Sequence, residues 1–194
     1  MQAVAVAIAK ATWAWVRGRA LAIDPADARA HLSLGYALNA GGDLAGAETA
    51  FRAATAADPQ CATSYYNLGI LLERRGDKAG EEAAYRAATV ADPQLAVAQF
   101  NLGVVVEDRG DWAGAEAAYR AAIAADPQYA RAHYNLGNLL DESGDKAGAE
   151  AALRTAVAID PQDTGVQYSL GQRADIVGAA RLFVAALKID PSVQ

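Results

Sequence analysis

Residues 64–93 read SYYNLGILLERRGDKAGEEAAYRAATVADP, and two closely similar segments follow them in the chain. Residues 98–127 read AQFNLGVVVEDRGDWAGAEAAYRAAIAADP, and residues 132–161 read AHYNLGNLLDESGDKAGAEAALRTAVAIDP. The Asp-Pro pair that ends each segment recurs every 34 residues from position 24 to position 160, and once more 30 residues later. The six pairs hold all six prolines of the chain. A fixed period of this length indicates a tandem array of one small structural motif.

Each repeat unit divides into two predicted helices. Aspartate before proline predicts an N-cap followed by the first helical position of the first helix. A glycine ends that helix, because glycine adopts the left-handed conformation that commonly follows a helix. An aspartate directly after each glycine is expected to cap the second helix. These glycines are Gly42, Gly76, Gly110 and Gly144, and the aspartates are Asp43, Asp77, Asp111 and Asp145.

Composition agrees with helices throughout. Alanine supplies 50 of the 194 residues, and 53% of the chain is hydrophobic against 21% charged. Alanine is the best helix former and is depleted in strands, so an all-β fold is excluded. The hydrophobic fraction is high enough for a folded chain rather than a disordered one.

Charge and cysteine content exclude several classes of function. The net charge of −6 has the wrong sign for a protein whose partner is a nucleic acid. Cys61 is the single cysteine and has no basic neighbour, and His31 and His133 have no triad partner placed by the repeat. No metal site, cofactor site or catalytic activity is therefore expected. Lys10 interrupts the apolar residues 1–9, so we expect no membrane segment and a cytoplasmic, reducing location.

The repeat resembles the tetratricopeptide repeat family, when each unit is numbered so that its proline is position 32. Leucine stands at position 7 and glycine at position 8, where a side chain would block the neighbouring helix. Position 20 is small, position 24 is aromatic in most units, and position 27 is alanine. In the three central repeats these residues include Leu68, Leu102, Leu136, Gly69, Gly103, Gly137, Tyr85, Tyr119, Leu153, Ala88, Ala122 and Ala156.

The resemblance implies an all-α fold, a right-handed α-solenoid of tandem helix-turn-helix hairpins. Residues 1–27 are expected to form an N-terminal capping helix. The repeats that follow are residues 28–61, 62–95, 96–129, 130–163 and a shortened fifth repeat at 164–194. Glu81 departs from the pattern, because it occupies the small position 20 of the second repeat. We expect a local shift or a partly exposed carboxylate there, since burial of a charge is costly.

In this family the first helices line a concave groove, and the residues that face it are candidate ligand contacts. Asparagines at position 6 form a predicted ladder, because one amide offers both a donor and an acceptor to a peptide backbone. The alternative is that these asparagines bond a neighbouring helix. Rings at position 5 are expected to be partly exposed beside the ladder. The predicted peptide-binding residues are Asn67, Asn101, Asn135, Asn138, Tyr66, Phe100, Tyr134, Tyr168 and Tyr36.

Charge and family motifs bound the partner further. The family's two-carboxylate clamp for acidic peptide tails requires lysines and an arginine at fixed repeat positions, where this chain has other residues; of the clamp positions only Asn67 matches. Five acidic residues are predicted to cluster at the ends of the first helices, so a neutral or basic partner is favoured, although an ordinary solvated rim explains them too. They are Glu73, Glu107, Asp108, Asp141 and Glu142.

The sequence thus predicts a non-catalytic scaffold that binds an extended segment of a protein partner. Two alternatives remain open. Apolar residues at both ends, including Trp13, Trp15 and Phe183, favour head-to-tail self-association. The chain could also be the recognition arm of a larger enzyme, for example a glycosyltransferase with such repeats.

Overall fold

The computed structural model describes residues 26–162, and this part of the chain consists of eight α-helices without a β-strand. Turns of only a few residues separate them, so consecutive helices form hairpins. In chain order the helices are α1 (Ala28–Ala40), α2 (Leu44–Ala57), α3 (Ala62–Arg75), α4 (Lys78–Ala91), α5 (Ala96–Asp108), α6 (Trp112–Ala125), α7 (Ala130–Glu142) and α8 (Lys146–Ile159).

The helices pack in sequence order. α1 packs on α2, α3 on α4 and α7 on α8, and α2 and α6 contact the helices that follow them. The predicted fold class, an all-α array of tandem helix-turn-helix hairpins, is confirmed. The chain divides into two compact units, with the boundary between Ala98 and Gln99 inside α5. The predicted capping helix, Trp13, Trp15 and the fifth repeat lie outside the described residues.

The turn inside each hairpin is the one that the sequence predicts. Gly42, Gly76, Gly110 and Gly144 all have positive φ, between 74° and 92°, which is the left-handed conformation that favours glycine. The aspartate that follows each glycine accepts a hydrogen bond from a backbone N–H three residues later, for example at 2.9 Å from Gly46 N to Asp43 Oδ1. That bond satisfies a backbone donor that the first turn of a helix leaves unpaired.

The Asp-Pro pair works differently from the prediction. Asp58 follows the last residue of α2, and its Oδ1 accepts from Gln60 N at 2.9 Å, two residues on. The next helix starts only at Ala62, and its N-cap residue, Cys61, makes no side-chain capping bond. Asp92 and Asp126 make the same bond at 2.9 Å. The predicted N-cap is therefore wrong, because the carboxylate closes a turn between hairpins rather than the start of a helix.

The glycine at position 8 lets the two helices of a hairpin approach closely. A Cβ atom on Gly103 would lie 2.5 Å from Cε1 of Tyr119, and one on Gly69 would lie 2.5 Å from the same atom of Tyr85. These distances are shorter than a van der Waals contact, so any larger residue would push the aromatic side chain out. The predicted steric role of this glycine is confirmed.

The core of the first unit joins its first two hairpins. Phe51 of α2 is buried together with Leu68, Leu71 and Leu72 of α3. Alanines at positions 20 and 27 fill the remaining space between helices, and Ala47 and Ala54 have no exposed surface. Such close packing of small and large side chains fixes the register of one hairpin on the next.

Glu81 is buried, which contradicts the expectation of a shifted or partly exposed carboxylate. It is 3% exposed at position 20 of the second repeat, where Ala47, Ala115 and Ala149 stand in other repeats. Its Oε2 lies 3.3 Å from Nζ of Lys78, one helical turn earlier. The lysine is more than half exposed, so one partner of the pair stays in water while the carboxylate packs inside the hairpin.

Candidate functional site

Asn67 of α3 is tied to the preceding hairpin by its amide nitrogen. Nδ2 donates to the hydroxyl oxygen of Tyr36 at 2.8 Å and to the backbone oxygen of Thr63 at 2.6 Å. Both amide hydrogens are thus in use, while Oδ1 has no hydrogen-bond partner within residues 26–162. The side chain is held in one orientation and presents an acceptor.

Asn135 of α7 is also tied to the preceding repeat through a tyrosine. Its Nδ2 donates to the hydroxyl of Tyr119 at 3.3 Å, and that hydroxyl donates to the carboxylate of Glu107. Tyr119 has no exposed surface, so the chain of hydrogen bonds from α7 to α5 runs through the interior of the second unit. Oδ1 of Asn135 has no partner in the described part of the chain.

The environment of Tyr119 raises the pKa of its hydroxyl well above the usual value. Burial is the largest cause, because it disfavours the charged phenolate, and the hydrogen bond to Glu107 acts in the same direction. The bond from Asn135 lowers the pKa but is outweighed. Tyr119 therefore stays neutral and can donate to Glu107 throughout the physiological range.

The other two predicted asparagines are half-buried. Asn101 occupies position 6 of α5 and already has an interaction partner. Asn138 lies three residues after Asn135, so both amides are on one side of α7. The structure thus supports the alternative of helix-to-helix bonds for Asn67 and Asn135, and it leaves an acceptor oxygen on each.

Two of the predicted aromatic residues are half-buried against position 24 of their own hairpin. The ring of Tyr66 is tilted against that of Tyr85, with 6.1 Å between centroids. Tyr134 packs against the buried cluster of Leu153 and Ala156. Each ring therefore contributes one part to the core of its hairpin and keeps another part at the surface.

Phe100 is not exposed, and the expectation of partial exposure is wrong at this position. Its ring is 2% exposed. It packs against Tyr119, with centroids 5.8 Å apart, and meets the edge of Tyr129 at 5.2 Å. The guanidinium carbon of Arg131 lies 4.7 Å from the ring centroid, in a cation–π contact. Tyr129 stands at the position where the second repeat, with its half-buried Tyr66, has Leu95, and its ring covers Phe100.

Tyr36 is the most exposed of the predicted contacts that the structure describes. It is 44% exposed, and its ring meets Phe51 edge-on with centroids 5.7 Å apart. The sequence pattern marked Tyr36 as a groove residue but missed its hydrogen bond to Asn67. It also missed the hydrogen bond from Asn135 to the Tyr119 hydroxyl, because position 24 was assigned to packing alone. Tyr168 lies outside the described residues.

The acidic residues at the ends of the first helices differ in their surroundings. Glu107 accepts from Tyr119, and Asp141 forms an ion pair with Lys146 at 2.8 Å from Nζ to Oδ1. Glu73 and Glu142 are exposed and have no ion-pair partner among residues 26–162. Among these residues, an ion pair therefore offsets the negative charge of Asp141, whereas Glu73 and Glu142 have no ion pair within the described residues.

Comparison with known families agrees with this geometry. The family model described as tetratricopeptide repeat matches residues 6–60, 40–96 and 98–164. The chain belongs to the tetratricopeptide repeat family. The hairpin turns, the position-8 glycines and the small residues at positions 20 and 27 are the features through which this member fits the pattern.

Solved tetratricopeptide repeat structures superpose on most of the chain. A crystal structure of MamA is 25% identical and covers 84% of this chain and 92% of its own, with a TM-score of 0.74. YrrB, described as a TPR protein with an unusual peptide-binding site, is 18% identical over 91% and 93%, with a TM-score of 0.77. PilF of Pseudomonas aeruginosa is 19% identical over 91% and 82%, with a TM-score of 0.76. No curated protein sequence gives a significant match.

None of the helices within residues 26–162 is long and apolar enough to cross a membrane. The same range holds no group of three or more histidine, cysteine, aspartate or glutamate side chains arranged to bind a metal ion. The fold is that of a protein-interaction scaffold, and the candidate contacts are amides and rings rather than reactive groups.

Proposed function

We propose that the protein is a non-catalytic scaffold that holds an extended segment of a protein partner against the first helices of its hairpins. The position-6 asparagines hold the partner's backbone, and nearby tyrosines cover its side chains. In the first unit the contacts are Asn67, Tyr36 and Tyr66, and in the second they are Asn101, Asn135, Asn138 and Tyr134. Tyr168 belongs to the same predicted set. Phe100 is excluded, because it is buried.

One observation carries the proposal: Asn67 is anchored through its nitrogen and keeps an acceptor oxygen. An amide that is already held in place loses little conformational freedom when a ligand binds, which favours affinity. A peptide backbone N–H is the complementary donor, and it is present in every sequence. The anchored oxygen therefore suits a ligand that is recognised through its backbone. YrrB, which shares the fold, is a TPR protein with an unusual peptide-binding site, in line with this use of the fold.

Charge defines the favoured partner more narrowly. The chain carries 23 acidic against 17 basic residues. Opposite potentials favour association, so a neutral or basic segment fits better than an acidic one or a nucleic acid. The proposal places the protein in the cytoplasm with no membrane contact, cofactor or metal. Head-to-tail self-association and a role as the recognition arm of a larger enzyme are the competing proposals.

The experiment selects displayed 12-residue peptides on the full chain and measures their affinities by fluorescence anisotropy. We expect the triple variant Asn67→Ala, Asn101→Ala and Asn135→Ala to weaken binding by about tenfold or more, since each lost hydrogen bond contributes about 0.5–1.5 kcal/mol. Asn39→Ala is the matched control, because Asn39 receives a bond from Arg74 but does not occupy position 6. Equal losses in both variants, or no selected peptide, would overturn the proposal. Light scattering over a range of concentrations separates self-association from ligand capture.

A further inference from the structure

Trp112 stands out among the residues that begin the second helices. It is 52% exposed at the first position of α6, where α4 and α8 begin with Lys78 and Lys146 and α2 begins with Leu44. Exposed tryptophan is uncommon at a soluble surface and is enriched where proteins bind partners. No ring or cation contacts the indole within residues 26–162.

A cavity of about 340 Å³ lies beside this indole. Its walls come from Trp112 and from the last turn of α7, and its floor is Leu139, which is only 3% exposed. Of the described residues, Glu142 and Ser143 also line the cavity. Ser143 Oγ is turned inward and donates to the backbone oxygen of Leu140 at 2.9 Å. The cavity therefore offers an aromatic face, an aliphatic floor and one carboxylate.

The charges around the cavity leave that carboxylate available. Lys146, the nearest cation in sequence, is held by Asp141 at 2.8 Å. Arg109, at the turn before α6, already has an interaction partner. Glu142 is exposed and has no ion-pair partner in the described part of the chain. The second unit thus presents an unneutralised carboxylate next to an exposed indole.

We infer that this cavity binds the side chain of an arginine from a basic segment of a protein partner. The planar guanidinium stacks on the indole of Trp112, its N–H groups bond to the Glu142 carboxylate in a fork, and its aliphatic stem lies on Leu139. Arginine fits better than lysine, because only its planar group both stacks and makes the forked bond. The inference does not depend on the asparagines of the proposed function.

The test titrates N-acetyl-arginine amide into the ¹⁵N-labelled full chain and follows backbone amides of Leu139, Glu142 and Ser143 by NMR. We expect saturable shifts with a dissociation constant of about 1–50 mM, from one exposed cation–π contact, one exposed ion pair and the apolar contact of the stem with Leu139. N-acetyl-citrulline amide has the same shape without the charge and should bind at least fivefold more weakly.

Two variants of the cavity and three control variants decide the origin of the shifts. Trp112→Leu introduces the residue found at the same place in α2 and keeps the net charge, and it should weaken binding at least threefold. Glu142→Gln should do the same, whereas Glu73→Gln, its charge-matched control in the first unit, should leave the shifts unchanged. Asn67→Ala and Asn135→Ala should also leave them unchanged, which separates this site from the proposed function.

Any of three results would overturn the inference. Citrulline could bind as well as arginine, Glu142→Gln could behave like Glu73→Gln, or Trp112→Leu could bind as well as the unmodified chain. Shifts of the same amides with protein concentration alone, without a specific effect of arginine, would assign the cavity to contact between two copies of the chain.

Discussion

Asn67 in the first unit and Asn135 in the second occupy the same position of the repeat and make the same kind of bond in different surroundings. Each donates its amide hydrogen to a tyrosine of the preceding repeat. Tyr36, the acceptor for Asn67, is the 44% exposed residue of position 9. Tyr119, the acceptor for Asn135, is the fully buried residue of position 24 and donates a hydrogen bond from its own hydroxyl to Glu107.

The comparison distinguishes two ways of orienting an asparagine: through a tyrosine of the hydrophobic core or through a tyrosine at the surface. The tyrosine that holds Asn135 is part of the core, so the orientation of this asparagine is coupled to the stability of its hairpin. The tyrosine that holds Asn67 lies at the surface, so this pair can change without cost to the core. Loss of either tyrosine should release an asparagine, but only the loss of Tyr119 should strongly destabilise the fold.

Truncation of the two tyrosines gives the largest expected effect. Tyr119→Ala should lower the free energy of unfolding by about 3–5 kcal/mol, because it leaves a cavity and removes the partner of Glu107 and Asn135. Tyr36→Ala should cost less than about 1 kcal/mol, since the ring is half in water. Urea unfolding followed by circular dichroism measures both. Equal losses would contradict the distinction between a buried and a surface anchor.

Replacement of Glu81 should change stability in the opposite direction. Glu81→Ala installs the residue that position 20 carries elsewhere and removes a buried carboxylate, while Lys78 returns fully to water. We expect a gain of about 1–3 kcal/mol in the free energy of unfolding, since an apolar replacement of a buried ion pair is often stabilising. Ala115→Glu is the reverse change in the second unit and should be destabilising. A loss of stability in Glu81→Ala would show that the carboxylate is needed for the hairpin.

The raised pKa of Tyr119 predicts a smaller effect at alkaline pH. Above about pH 10 the unfolded chain releases this proton while the folded chain keeps it. The folded state then binds more protons, so stability falls as pH rises, by up to about 1.4 kcal/mol per pH unit from this group. Below pH 10 the contribution is fully present. The slope between pH 10 and 11 should decrease in Tyr119→Phe and stay unchanged in Tyr36→Phe. An unchanged slope in Tyr119→Phe would show that Tyr119 titrates normally.

Most of the fold follows from local rules that the repeat spells out several times. The left-handed glycines, the aspartates that cap the second helices and the position-8 glycines each satisfy a steric or hydrogen-bonding need within a few residues or one hairpin. Because those needs are local, the sequence pattern alone predicts them. The family resemblance then supplies how the hairpins are arranged.

The errors occur where a residue depends on neighbours that the repeat does not specify. Asp58 has the chemistry of a helix cap, but the helix starts four residues later, at Ala62, and the carboxylate closes a turn instead. Phe100 is covered by Tyr129, whose counterpart in the second repeat is Leu95. Glu81 tolerates burial because a lysine is available one turn away. Each outcome is decided by a particular side chain rather than by the repeat pattern.

The most direct test of the account measures the coupling between Asn67 Oδ1 and a peptide backbone N–H. Each amide bond of a selected peptide is replaced in turn by an ester, which removes one N–H, and the dissociation constants are measured on the unmodified chain and on Asn67→Ala. For one ester position we expect a coupling free energy of about 0.5–1.5 kcal/mol, so that the ester weakens binding to the unmodified chain but not to Asn67→Ala. Zero coupling at every ester position, for Asn67 and equally for Asn135, would contradict it.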